Sequence, residues 1–194
     1  MEGEMKSRDL LLVLIDACQG RKAFGKTSLQ KCAYFVSLRL GKDLAYRPLH
    51  YGPYSHLVES EVDALVMSSL VTESVENLGS VGTNGFPVKR FEYQVSDAAK
   101  SRIDKLLKAY PAEVAKIREL IDELDSRTQG LEQRLLSPAA KTLFITKETG
   151  KAVSTEEISE MAAELGWALD EKEVESVSST LAELSFIKVM SDEI

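Results

Sequence analysis

The sequence predicts a mainly α chain with a small β wing. It reads as a winged-helix domain over residues 1–110, a connecting helical segment over 111–137 and a smaller acidic, helix-turn-helix-like unit over 138–194. Three observations predict it. Apolar residues recur at spacings of three and four through most of the chain, the period of helices packed by one face. The period drops to two over residues 71–77 and 88–95, on either side of the glycine-rich stretch 79–85. The resulting order is helix, helix, helix, strand, glycine-rich tip, strand, helix, which is that of a winged helix with a helical extension.

Ser7 is placed to cap the first helix, with Asp9 in its first turn, Leu11, Leu14, Ile15 and Cys18 on its apolar side and Gly20 as its end. Thr27 and Gln30 fit a capping box for the second helix. Its stripe is Leu29, Cys32, Ala33, Val36 and Leu40, and Gly41 stops it. Residues 46–55, with Pro48 and Pro53, read as a structured loop because the residue before a proline is driven out of the helical region. Ser55 caps the third helix, whose apolar side is Val58, Val62, Leu65, Val66 and Leu70.

After the two strands, Ser96 and Asp97 cap a helix to about Ala109, and Pro111 opens another. In it Val114, Ile117, Ile121 and Leu124 repeat as in a helix that packs internally or pairs with a second copy, which admits a homodimer. Ser137 and Pro138 start a helix that Gly150 ends. Ser154 with Glu157, and Asp170 with Glu173, are capping boxes for two more, the first stopping at Gly166. Residues 186–190 read as a strand.

Apolar residues make up 44% of the chain and charged residues 28%, which excludes disorder and a disulfide-stapled mini-protein. No apolar run approaches the ~20 residues of a membrane span, and the acidic N-terminus lacks a cleavage site, so the expectation is a cytoplasmic protein without membrane contact. Cys18 and Cys32 read as buried free thiols. The net charge of −7 is uneven. Residues 1–58 hold nine Lys/Arg against five acids, residues 59–137 ten against fourteen, and residues 138–194 five against twelve. Phosphate contact, if any, belongs to the first third or a local patch.

Residues 20–27 match the phosphate-loop pattern G-x-x-x-x-G-K-[ST] letter for letter. Such a loop must follow a buried strand, and its small residues let backbone N–H groups approach phosphate. Here a helical pattern precedes it, and Arg21, Lys22 and Phe24 fill it. A surface loop before a helix is the better reading.

Lys26-Thr27-Ser28-Leu29-Gln30-Lys31-Cys32-Ala33-Tyr34-Phe35, followed by Tyr51-Gly52-Pro53-Tyr54-Ser55, resembles an uncharacterised prokaryotic winged-helix family. That family is marked by K-T-x-L-Q-K-x-x-Y-F and Y-G-P-Y-S. More distantly the chain is similar to Panacea-type antitoxin domains. The resemblance covers residues 8–110 and implies a DNA-binding regulator or an antitoxin-like partner of another protein.

DNA binding is the leading expectation. Its candidate contacts are Arg21, Lys22, Lys26, Lys31, Arg39, Lys42 and Arg47 around the second helix, with Lys89 and Arg90 beside the wing tip. Against it, the third helix carries Glu59, Glu61 and Asp63 and no Lys or Arg. The alternative is a protein–protein module that holds a partner through the Tyr-rich loop and the acidic C-terminal unit. An enzyme is the least supported class. His50 and His56 form no metal spacing with the cysteines, and no catalytic, metal or cofactor-binding residue is assigned.

Overall fold

A computed structural model describes residues 4–21, 25–81 and 87–188. Among them the chain is mainly helical, with eight α-helices and two small antiparallel sheets of two strands each. One buried core runs from Met5 to Phe186 and draws on all three predicted segments.

Helix α1 (Ser7–Cys18) is the centre of that core; residues 9–15 and Cys18 are all buried. It packs against α3, α5 and β4. Ser7 is the first helical residue, not the cap: Lys6 holds that place, with no side-chain hydrogen bond. Asp9 is buried, and Arg102 reaches it with Nε at 2.8 Å and Nη2 at 2.6 Å. A carboxylate at this depth needs such a partner.

Helix α2 (Lys26–Leu40) also starts earlier than the capping box predicts. Its cap is Gly25, and no side chain caps it. Here the backbone passes close to β4: a Cβ on Gly25 would lie 2.6 Å from the Phe91 carbonyl oxygen. Thr27 therefore sits inside the helix, and Gln30 turns inward for another purpose. Gly41 ends the helix in the left-handed region, at φ 66°.

Residues 46–55 are not a loop but a short hairpin, β1 (Arg47–Leu49) against β2 (Gly52–Tyr54). Pro48 faces Pro53 in its register. Neither has an N–H, so the pair occupies a position where the ladder asks for none. Helix α3 (His56–Met67) follows, with Ser55 Oγ accepting from the Val58 N–H at 3.1 Å as the cap predicts.

Strands β3 (Val71–Val81) and β4 (Pro87–Val95) form the longer hairpin, in register from Val71↔Val95 to Asn77↔Lys89. β3 runs four residues past its predicted end, so Gly79 lies within the strand; residues 82–86 of the predicted turn lie outside the described residues. A 3-10 turn (Asp97–Ala99) precedes α4 (Lys100–Ala109), and α5 (Pro111–Arg127) has its proline in the first turn. Val114, Ile117, Leu120, Ile121 and Leu124 of α5 face inward, and the helix packs on α1, α2 and α4.

Helix α6 (Gln133–Thr149) begins four residues before Ser137, and Pro138 lies inside it. Past the first four helical positions a proline removes one intrahelical bond, which this helix tolerates near its start. Gly150 ends it at φ 64°. Both remaining capping boxes form as predicted, opening α7 (Thr155–Glu164) and α8 (Glu171–Glu183). The predicted strand at 186–190 does not form over residues 186–188, and 189–190 lie outside the described residues. Instead the Phe186 ring packs on Phe35, centroids 5.3 Å apart. Cys18 and Cys32 are buried and free, and burial pushes the Cys18 thiol up.

Candidate functional site

The two motifs that carry the family resemblance meet in space, and they meet through hydrogen bonds. The Gln30 side chain clasps the backbone of Ser55, its Nε2 donating to Ser55 O at 2.9 Å and its Oε1 accepting from Ser55 N at 3.0 Å. The Tyr46 hydroxyl donates to Gln30 O at 2.8 Å. Lys31 Nζ donates to Pro53 O at 3.1 Å. One turn of α2 therefore grips both ends of the β1–β2 hairpin, and each group in the clasp is buried. Ser55 Oγ also donates to Leu44 O.

The hairpin's far end rests on the C-terminal helices. Trp167 Nε1 donates to Leu49 O at 2.6 Å, and Lys141 Nζ holds Ala168 O at 3.1 Å beside it. Trp167 itself packs edge-on against Phe144. What this support presents is apolar: Tyr51 is 72% exposed and Leu49 44%. A contiguous exposed apolar patch marks a contact surface, and Leu49 and Tyr51 place two such side chains on one turn.

Beside the clasp, Glu59 of α3 gathers three donors. Lys26 Nζ lies 2.7 Å away and His56 Nδ1 3.3 Å away, and the Tyr54 hydroxyl is the third. The Lys26 hydrogen bond above all holds the Glu59 carboxyl down to about 2, so it is a fixed anion. The sequence presented Glu59 as a charge opposed to DNA; it is instead the hub joining α2, β2 and α3. The His56/Glu59 spacing of three on a helix was the one signal available for it.

The nine predicted phosphate contacts do not form a free basic face. Lys31 is 1% exposed and lies beneath the hairpin, which corrects its placement as a surface cation. Arg21 pairs with Asp122 and Asp125 of α5, and Lys26 with Glu59. Arg39 donates to Leu184 O at 2.8 Å, and its guanidinium lies 5.0 Å above the Phe186 ring. Lys42 donates to Met5 O and pairs with Glu4. Arg90 has a loose, exposed contact with Glu76 at 3.6 Å, a kind of pair worth little. Arg47 and Lys89 are exposed, and Lys22 lies outside the described residues. The acids of α3 are also partly neutralised, since Arg8 takes Glu61 as Lys26 takes Glu59.

An open polar cleft of about 810 Å³ lies at the start of α1, between the α2–β1 connection, α3 and α4. Its walls carry three ion pairs, Asp9–Arg102, Arg8–Glu61 and Lys42–Glu4, which satisfy one another. Among the described residues no group of three His, Cys, Asp or Glu side chains is arranged to hold a metal ion. Nor is any helix long and apolar enough to cross a membrane.

The phosphate-loop match fails on its context: the element before residues 20–27 is α1, a helix, and Lys26 is already committed to Glu59. Calorimetry with ATP or GTP and magnesium should show no binding in the micromolar range. Magnesium-dependent heat that Lys26→Ala removes would reverse that reading.

Comparison of the chain with protein-family models gives no match, and neither does comparison with curated proteins.

Proposed function

We propose that this chain is a winged-helix protein whose main work is protein recognition, as an antitoxin-like or adaptor module. The order α1, α2, α3, β3, β4 supports the winged-helix assignment. The carrying observation is the β1–β2 hairpin: Leu49 and Tyr51 are held outward while the turn beneath them is clasped by Gln30, Lys31 and Trp167. Such preorganisation lowers the ordering cost of binding, and an exposed tyrosine is a common interface anchor. The acidic C-terminal segment next to it favours a partner with a basic flank.

DNA binding is the second reading, and the long β3–β4 hairpin with exposed Lys89 and Arg90 favours it. Its difficulty is arithmetic. Each phosphate contact contributes roughly 0.9 to the slope of log K against log salt. Of the nine candidate contacts, Arg47, Lys89 and Arg90 are the described ones not firmly engaged; three such contacts give a slope of about −3, well short of the 6–10 contacts of a strong DNA binder.

Both readings are tested on the full chain. Purification from native cells should retain a defined protein, identified by mass spectrometry, whose measured affinity falls at least about tenfold in Tyr51→Ala, the size of an interface anchor. Gel shift on the chain's own upstream DNA should show weak or no retention. Tight binding with a slope near −6 that is lost in Lys89→Ala/Arg90→Ala would replace the protein reading by the DNA one. A buried-thiol protein of this kind suits the cytoplasm, and a homodimer is checked by light scattering on the same preparation.

A further inference from the structure

We propose that the β1–β2 hairpin is a proton-operated flap, seated on α2 and α6 while the Lys31 side chain beneath it is neutral and lifting about its base when Lys31 takes a proton. This goes beyond the proposed function, because it concerns the free chain whatever the chain binds.

The geometry gives the flap a hinge and a seat. Its two ends, Tyr46 and Ser55, are both tied to Gln30, so the base is fixed. Between them two strong contacts hold the hairpin down: Lys31 Nζ on Pro53 O at 3.1 Å and Trp167 Nε1 on Leu49 O at 2.6 Å. Gly52 lies directly on the lysine; a Cβ there would stand 2.9 Å from Nζ. Water can reach Nζ when the hairpin moves.

Charge gives it a trigger. Lys31 is 1% exposed, and among the described residues no carboxylate pairs with it. The charged group facing it, from α6, is another cation, Lys141, whose own acidic neighbour is Glu173 of α8. Gly52 and Pro53 above it carry no charge. The phenols nearby, Tyr34, Tyr46 and Tyr54, are all pushed up by burial and stay neutral; Glu148 acts on Tyr34 and Glu59 on Tyr54. An ammonium enclosed here meets a like charge and no counterion, and hydration relieves it. Burial first, and Lys141 second, bring the seated Lys31 down to about 7, against 10.5 for a lysine in water.

Linkage fixes the sign and the size. The lifted state binds the proton more readily, so lifting grows as pH falls from 10.5 to about 7 and levels off below. Inside that window the opening equilibrium changes about tenfold per pH unit.

The test is amide hydrogen exchange of the full chain at pH 9.5 and 7.5, corrected for intrinsic exchange, with emission of the single tryptophan, Trp167, followed in parallel. Hairpin amides between Leu49 and Tyr54 should open about a hundredfold more at pH 7.5, while α1 amides do not change. Lys31→Met, which cannot take a proton, should stay protected at both pH values. Lys31→Arg, which cannot lose one, should be open at both, with red-shifted emission. His50 lies at the tip and His56 packs edge-on against Tyr54, ring centroids 5.2 Å apart, so the double variant His50→Gln/His56→Gln must keep the wild-type response. A wild type whose hairpin opening is independent of pH would overturn the proposal. So would a response that survives in Lys31→Met, or one that vanishes with the two histidines.

Discussion

Gly52→Val is expected to destabilise the protein by about 2–4 kcal/mol, as strain at a special backbone position adds to a clash. Gly52 has φ +110°, a region that side chains with a Cβ rarely enter. It is also enclosed: its Cβ would meet Lys31 Nζ at 2.9 Å and Lys141 Cγ at 3.2 Å. Lys31 Nζ ends a flexible side chain, but burial and its bond to Pro53 O leave it nowhere to go. For a chain of this length each kcal/mol lowers Tm by about 2–4 °C, so thermal unfolding at pH 9 should show a fall of roughly 5–15 °C. Gly150→Ala is the control. Gly150 has φ +64° with nothing within 4 Å of a Cβ, so it isolates the conformational cost, about 1–2 kcal/mol. A Gly52→Val protein that melts with the wild type would mean that the hairpin is not seated on Lys31.

Periodicity and end signals made the helices legible. The capping boxes at Ser154 and Asp170, the cap at Ser55 and the stops at Gly41 and Gly150 are local chemistry, and each appears where its residues place it. Failures came where tertiary contacts outweigh local preference. Gln30 has the chemistry of a capping-box partner, but the buried backbone of Ser55, twenty-five residues away, offers it two bonds instead of one. Phe186 has the residue type of a strand, yet it has no strand to pair with and an aromatic pocket at Phe35 beneath it. The β1–β2 hairpin was hidden because two prolines argue against a ladder, and only their mutual register makes one acceptable.

The site was legible as motifs and not as charges. The sequence motifs single out Gln30, Pro53 and Ser55, and the two motifs do meet, Gln30 on Ser55 and Lys31 on Pro53. Whether a lysine faces solvent, an acid or the core is not written in its neighbours along the chain. Lys31 sits on the buried side of α2, between Gln30 and Cys32, and carries no local sign of it. Arg21 and Lys26 find their acids 101 and 33 residues away. Trp167 follows the stop at Gly166, and nothing near it in sequence points to Leu49, 118 residues earlier.

Gln30→Leu should be the most damaging single substitution in the hairpin's support. Leucine keeps the volume but removes both side-chain bonds to Ser55: Ser55 O keeps the Glu59 N–H as a donor at 3.1 Å, while the Ser55 N–H is left buried and unsatisfied. At about 1–3 kcal/mol for such a group, and about 1 kcal/mol for the bond lost at the carbonyl, the loss is roughly 2–4 kcal/mol, or a Tm lower by about 5–15 °C. The Tyr46 bond is to the Gln30 backbone and survives the change, so the first end of the hairpin stays tied while the second comes loose. Exchange of the Ser55 amide and of the first turn of α3 should therefore accelerate more than exchange of Tyr46. Coupling to the seat follows from the same geometry. A hairpin already freed at Ser55 can lift away from a bulky residue 52, so Gln30→Leu with Gly52→Val should cost less than the two single losses together, by more than the ~0.5 kcal/mol that separates independent sites from coupled ones. Strict additivity in the double variant would show that the clasp and the seat are separate devices, and that Gln30 serves α3 alone.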